Sequence, residues 1–136
     1  IQTIALYYSN IDGYLNTIDV QIEFSTNDEP KNVIERIVKD LSVYEILSPH
    51  TKINELFYNE EENSVHIDLT EDFVTEMKAG AGFEGLILQS LTNTLGQYYG
   101  VNEVYITIDG GPYESGHIII EEGEPSLVNL ENVRTE

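Results

Sequence analysis

Cysteine is absent from this chain of 136 residues, and basic side chains are scarce. The first absence excludes a disulfide framework, a thiolate metal centre and a cysteine nucleophile, and it leaves the redox compartment open. The second is set against 25 acidic residues. With only six Lys and Arg, the formal net charge is -19. A surface so negative repels phosphate backbones and anionic headgroups, so nucleic acid is not an expected partner and neither is a charged membrane surface. No apolar run reaches the roughly 18 residues that a membrane-crossing helix needs. An initiator Met and a charged-then-apolar leader are also absent. The chain opens on Ile1, and we expect an N-terminal segment to have been removed, with a secretion or lipoprotein signal among the things it would carry.

What is present argues for a folded domain. The length suits one domain with a proper core, and 40% hydrophobic residues with 10% aromatics, including nine Tyr, set the chain apart from disordered acidic sequences. The most ordered pattern lies at 84–109. Ile87, Leu88, Leu91, Leu95 and Tyr98 recur at helical spacing. Glu84 sits in the first turn, where the helix dipole favours a carboxylate, and Gly100 follows as a left-handed cap. A strand at 104–109 comes next, with Val104, Ile106 and Ile108 on one face and Tyr105, Thr107 and Asp109 on the other. Asp109-Gly110-Gly111-Pro112 closes it as a turn.

Earlier in the chain, 3–9 reads as a strand, Asn10-Ile11-Asp12-Gly13 as a turn, and 18–24 as a half-buried strand. A first helix is expected around Val33, Ile34, Ile37, Val38 and Leu41, after capping residues at 25–29 and Pro30. Residues 52–58 and 64–69 read as a hairpin around the acidic turn at 59–63. Val65, Ile67 and Leu69 take one face of its second strand, and His66 and Asp68 take the other. A helical turn at 70–73, a flexible lead at 77–82 and a last strand at 116–121 complete the order. Helices with one apolar stripe need a sheet to cover, so the expected fold class is α+β, a two-layer sandwich with two helices packed on one face of a mixed β-sheet. Residues 1–121 form the domain, and 122–136 reads as a loosely docked acidic tail.

The chemistry on offer is thin. His66 and Asp68 share a strand face, and His117 would meet them only if its strand lay alongside; no metal-ligand spacing supports that, and solvated strand faces are the preferred reading. Acidic groups at 60–62, at Asp68, Glu71 and Asp72, and at Glu121, Glu122 and Glu124 lack the alternating ligands of a calcium loop. Ser48, Ser64, Ser90 and Ser115 lie outside any nucleophile elbow. Ala79-Gly80-Ala81-Gly82 lacks the lysine of a phosphate loop. No catalytic, cofactor or metal residue is assigned, and no enzyme is expected. The surface residues that stand out are Tyr7, Tyr105 and Thr107: if they share the sheet face away from the helices, they form an aromatic platform for a partner protein or a sugar ring.

Asn93-Thr94-Leu95, Gln97-Tyr98, Gly100-Val101-Asn102-Glu103-Val104 and Ile108-Asp109-Gly110 together resemble the distinctive segment of the GerM domain, the sporulation and spore germination domain of bacterial envelope proteins. Pro49 with Thr51-Lys52-Ile53, and Val65-His66-Ile67-Asp68-Leu69-Thr70 followed by Phe73, agree in order and spacing, so the resemblance covers about residues 4–120. The chain departs from the family after its first helix, where Leu41-Ser42-Val43-Tyr44 replaces a frequent Gly-Pro pair. The resemblance implies a module without catalytic residues or cofactors, in a secreted or lipid-anchored envelope protein of a Gram-positive bacterium. It is similar in layout to the ring-building motifs of sporulation complexes, so the implied partners are envelope or sporulation-complex proteins or further copies of itself. Membrane contact would come only through an N-terminal anchor. The alternative is a peptidoglycan or carbohydrate-binding module using the Tyr face.

Overall fold

The computed structural model describes residues 2–9, 15–22, 47–48, 50–77, 81–131 and 133–135. The first helix expected around 33–41 and the turn at 10–13 lie outside them. The described elements are, in chain order, β1 (Gln2–Ser9), β2 (Leu15–Ile22), β3 (Ile53–Asn59), β4 (Ser64–Leu69), α1 (Asp72–Thr75), α2 (Ala81–Tyr99), β5 (Glu103–Ile108), β6 (Tyr113–Glu114), β7 (Ile119–Ile120), β8 (Ser126–Leu127) and β9 (Arg134–Thr135). The fold class is α+β, with a mixed sheet carrying its helical layer.

That sheet has the order β3-β4-β5-β8. β3 and β4 form an antiparallel hairpin, β4 and β5 run parallel, and β5 meets β8 antiparallel. Alternation in β4 and β5 decides which face is covered. Val65 pairs with Val104 and Ile67 with Ile106, and all four are buried with Leu69 against the Leu88, Leu91 and Leu95 stripe of α2. Burying each such side chain is worth about 1.5–3 kcal/mol.

Left-handed residues at three places set the ends of these elements. Asn63, at φ 52°, closes the β3–β4 hairpin, where the Asn59 side chain accepts the Glu62 N–H. Gly100, at φ 70°, ends α2 as expected, and the Val101 N–H reaches back to the Gly96 carbonyl (2.9 Å) in a Schellman closure. Asp109 and Gly110 are both left-handed, and Ile108 and Gly111 exchange backbone hydrogen bonds around them, which makes this a two-residue hairpin turn.

The central helix carries more than an apolar stripe. Ser90, Thr92, Asn93 and Thr94 are buried too. The hydroxyls of Ser90 and Thr92 donate to carbonyls one turn back, at Leu86 and Leu88. Asn93 and Thr94, adjacent in sequence, point about 100° apart around the axis and hold different neighbours. Thr94 Oγ1 accepts the Tyr7 N–H (3.0 Å), tying the helix to β1. Asn93 donates to the Asn129 carbonyl (2.9 Å) and accepts the Asn129 N–H (3.0 Å), as a strand neighbour would. Gln89, on the same flank, donates to the Leu127 carbonyl. A second sheet of order β1-β2-β9 therefore lies along the helix as well, with β1 and β2 antiparallel and β9 parallel to β2.

Two expectations change. The segment from 122 onward, read as a loosely docked tail, supplies β8, beside which Gln89 and Asn93 reach out of the helix to its backbone, and β9, which pairs with β2. The strand expected at 116–121 is only β7, paired with β6 in a separate two-stranded hairpin. Ser115 cuts that pairing short by receiving the N–H groups of His117 and Ile118 on its side chain.

Candidate functional site: the open face of the sheet

The uncovered face of the four-stranded sheet is built by the residues that alternate with its core. Register places Phe57 of β3 opposite His66 of β4, and His66 opposite Tyr105 of β5. Their rings stack in one row across three strands. Phe57 and His66 lie 4.7 Å apart at 6°, and His66 and Tyr105 lie 4.5 Å apart at 15°. Phe57 remains 41% exposed. His66 Nε2 is 3.5 Å from the Glu62 carboxylate, which also accepts the Ser64 hydroxyl. Both faces of the imidazole are covered by rings, and Phe57 and Tyr105, at the ends of the row, each give one face to the stack.

Beside this row lies a polar network. Asp68 accepts hydrogen bonds from the Thr107 hydroxyl, from the Gly110 N–H (2.8 Å) and from the Asn54 amide (2.9 Å). Asn54 also reaches Asp109, whose other oxygen accepts the Glu71 N–H. Burial pushes the Asp68 carboxyl up, but the donors Thr107, Asn54 and Gly110 outweigh it, and its pKa is held below the ordinary carboxylate value. This network fixes the Asp109-Gly110 turn over the end of β4.

Tyr105, Thr107, His66, Glu62, Glu121, Glu122 and Glu124 line a cleft of about 390 Å³ above β5. The Tyr105 hydroxyl pKa is raised by partial burial and by the nearby charges of Glu103 and Glu62.

The residues singled out from sequence do not all meet here. Tyr105 and Thr107 do share the open face, but the Thr107 hydroxyl is committed to Asp68. Tyr7 is 6% exposed in the other sheet, held along α2 through Thr94, so it takes no part in a platform with Tyr105. Its place is filled by Phe57 and His66. His66 and Asp68 lie on one face as expected, whereas His117 is exposed in the β6–β7 turn. Among the described residues no group of three or more His, Asp or Glu is arranged to hold a metal ion. No described helix is long and apolar enough to cross a membrane.

The fold has known counterparts. The family model described as "Germane: Sporulation and spore germination" matches residues 5–114. The chain belongs to the Germane family. The Germane match spans β1 to β6 and contains every ring and network residue described above. In solved structures, the chain is similar to the first GerMN domain of the sporulation protein GerM from Bacillus subtilis, with 20% identity and a TM-score of 0.68 over 93% of this chain and 98% of that one. It is also similar to the tandem GerMN domains of the same protein, with 16% identity and a TM-score of 0.60 over 98% of this chain and 46% of that one. It thus spans about half of the tandem structure. At these identities the likeness is one of fold. No curated protein matches.

Proposed function

We propose that this Germane domain is a non-enzymatic protein-interaction module of an extracytoplasmic cell-envelope protein, acting in sporulation or spore germination. The observation that carries the interaction reading is the row Phe57, His66 and Tyr105 on the sheet face left open by the helix. Aromatic side chains of this kind, held rigid before contact, are enriched at protein interfaces. Family membership supports the link to sporulation. Its partners are other envelope or sporulation-complex proteins or a second copy, and any membrane attachment is through an N-terminal anchor.

The row also favours a protein over a glycan. A sugar stacks on the broad face of a ring, but here both faces of His66 and one face each of Phe57 and Tyr105 are taken up by the neighbouring rings. The test is complementation in the native host. A deletion strain carrying Phe57→Ala/Tyr105→Ala should form or germinate spores poorly, while the variant stays folded and fractionates with the envelope. Full complementation by the double variant, or wild-type protein found in the cytosolic fraction, would overturn the reading. Co-sedimentation of the wild-type domain, but not the double variant, with insoluble cell wall would select the glycan alternative.

A further inference from the structure

The geometry points to a Lys- or Arg-bearing segment of a partner protein as the occupant of the cleft beside Tyr105. This inference rests on the interaction reading above and names the chemistry of the partner at that face. The cleft has an aromatic wall and an acidic rim. Tyr105 stacks on His66 with one ring face and lines the cleft. Glu62, Glu121, Glu122 and Glu124 surround it, and no Lys or Arg is among its lining residues. The side chains of Glu121 and Glu122 find no partner among the described residues, whereas Glu62 and Glu124 are held in place, the former by Ser64 and the latter by the Glu121 N–H.

An aromatic ring next to several carboxylates attracts a cation twice, through the ring quadrupole and through charge. The Tyr105 hydroxyl pKa is raised first by desolvation and then by the negative charges of Glu103 and Glu62. A volume of about 390 Å³ accommodates a long basic side chain with the backbone that carries it. The whole chain, at -19, draws basic segments in from a distance. An extended segment with alternate basic residues would lay one of them in the cleft and rest its backbone along the row.

The test uses the whole chain and two fluorescent nonapeptides, one Gly/Ser-based with three Lys and one with Glu in their place. Binding is read by anisotropy, and the site by amide shifts of Tyr105, Thr107, Gly110 and Gly123. Two variants carry the same net charge. One neutralises the cleft (Glu62→Gln, Glu122→Gln, Glu124→Gln), keeping the acceptors that Ser64 and Glu121 use. The other neutralises sites outside its lining (Asp19→Asn, Glu71→Gln, Glu131→Gln). The cleft variant should lose about tenfold in affinity for the Lys peptide, and the control no more than about threefold. Tyr105→Leu should weaken binding further, and Tyr105→Phe should retain it. Equal losses in both charge variants, or shifts spread evenly over the acidic surface, would overturn the inference in favour of bulk charge. Stoichiometric Ca²⁺ that displaces the peptide at micromolar concentration would overturn it in favour of a metal site. If the cleft variant complements sporulation fully while Phe57→Ala/Tyr105→Ala does not, the cleft is refuted and the interaction module stands.

Discussion

Gly96→Ala should destabilise the domain, although the exchange favours the helix in isolation. Ala is preferred to Gly in a helix interior by about 1 kcal/mol. At position 96, however, an added Cβ would lie 2.2 Å from Val128 Cγ2 and 2.9 Å from the Val101 carbonyl oxygen. Carbon atoms in contact sit at about 3.5–4 Å, so a displacement of more than an ångström is required. The Val101 carbonyl cannot supply it, because Val101 is pinned in the helix cap by its bond to Gly96. Val128 is β-branched and stiff, so the segment after β8 that carries it must move instead. That puts at risk the Val128–Asn102 backbone bond and the double contact of Asn93 with Asn129, each bond worth about 1 kcal/mol net. Overpacking costs about 1–3 kcal/mol; after the propensity gain and the strained hydrogen bonds, the net loss should be about 1–3 kcal/mol. Urea unfolding of Gly96→Ala, Val128→Ala and the double variant measures it. The double variant should recover much of the loss, with a coupling of about 1 kcal/mol or more. A Gly96→Ala protein as stable as the parent, or a coupling near zero, would refute the close approach of helix and segment.

Three further outcomes follow from the polar interior. Asn93→Ala leaves the Asn129 backbone groups without their partner and should cost about 1–3 kcal/mol, with faster amide exchange at 127–129 than in β4. The depressed Asp68 pKa contributes stability that is complete above the unfolded carboxylate value and is lost as pH falls through the folded one; Asp68→Asn should therefore flatten the decline in stability below about pH 4. Tyr99 is raised to about 12 by burial and by Tyr98, and Tyr113 is raised by burial and by its bond to the buried Glu84. Folded-state values above the ordinary tyrosine value of about 10 give stability that is complete below that pH and lost above it. Tyr99 and Tyr113 should therefore titrate late by phenolate absorbance, together with unfolding, and Tyr113→Phe should remove one of these late steps.

The local signals in the sequence were strong where geometry is local. β4 at Ser64–Leu69, the alternation of Val104 and Ile106 with Tyr105, the cap at Gly100 and the Asp109-Gly110 turn all follow from spacing and left-handed preference. What depends on strand neighbours did not follow. The row Phe57–His66–Tyr105 needs the β3–β4 register and the parallel pairing of β4 with β5. The first of these was within reach. A turn of four residues at 60–63 pairs Asn59 with Ser64 and hence Phe57 with His66, whereas starting the turn at 59 hides the pair. The second was not, because no residue in β4 names β5 as its neighbour. Tyr7 misled because an alternating strand announces two faces without saying that a helix covers the second. Polar residues on a helix ordinarily face water, so nothing local announces that Thr92, Asn93 and Thr94 are buried, or that Asn93 and Thr94 hold two other chain segments.

That burial also separates what identifies the family from what equips this member of it. Asn93, Thr94, Gly100, Asp109 and Gly110, which carry the resemblance to GerM domains, are all engaged in building. Asn93 and Thr94 hold strands, Gly100 ends the helix, and Asp109 and Gly110 turn the chain under the grip of Asn54 and Asp68. Phe57, Glu62, Tyr105 and the glutamates at 121, 122 and 124 make no comparable contribution to the core, and exchanging them leaves every one of those joints intact. A domain built this way keeps its fold at 20% identity to a relative while the ring row and the charge of its cleft remain free to differ. On the proposed interaction reading, partner choice in this domain is therefore to be sought on its open face, and not in the residues by which the family is recognised.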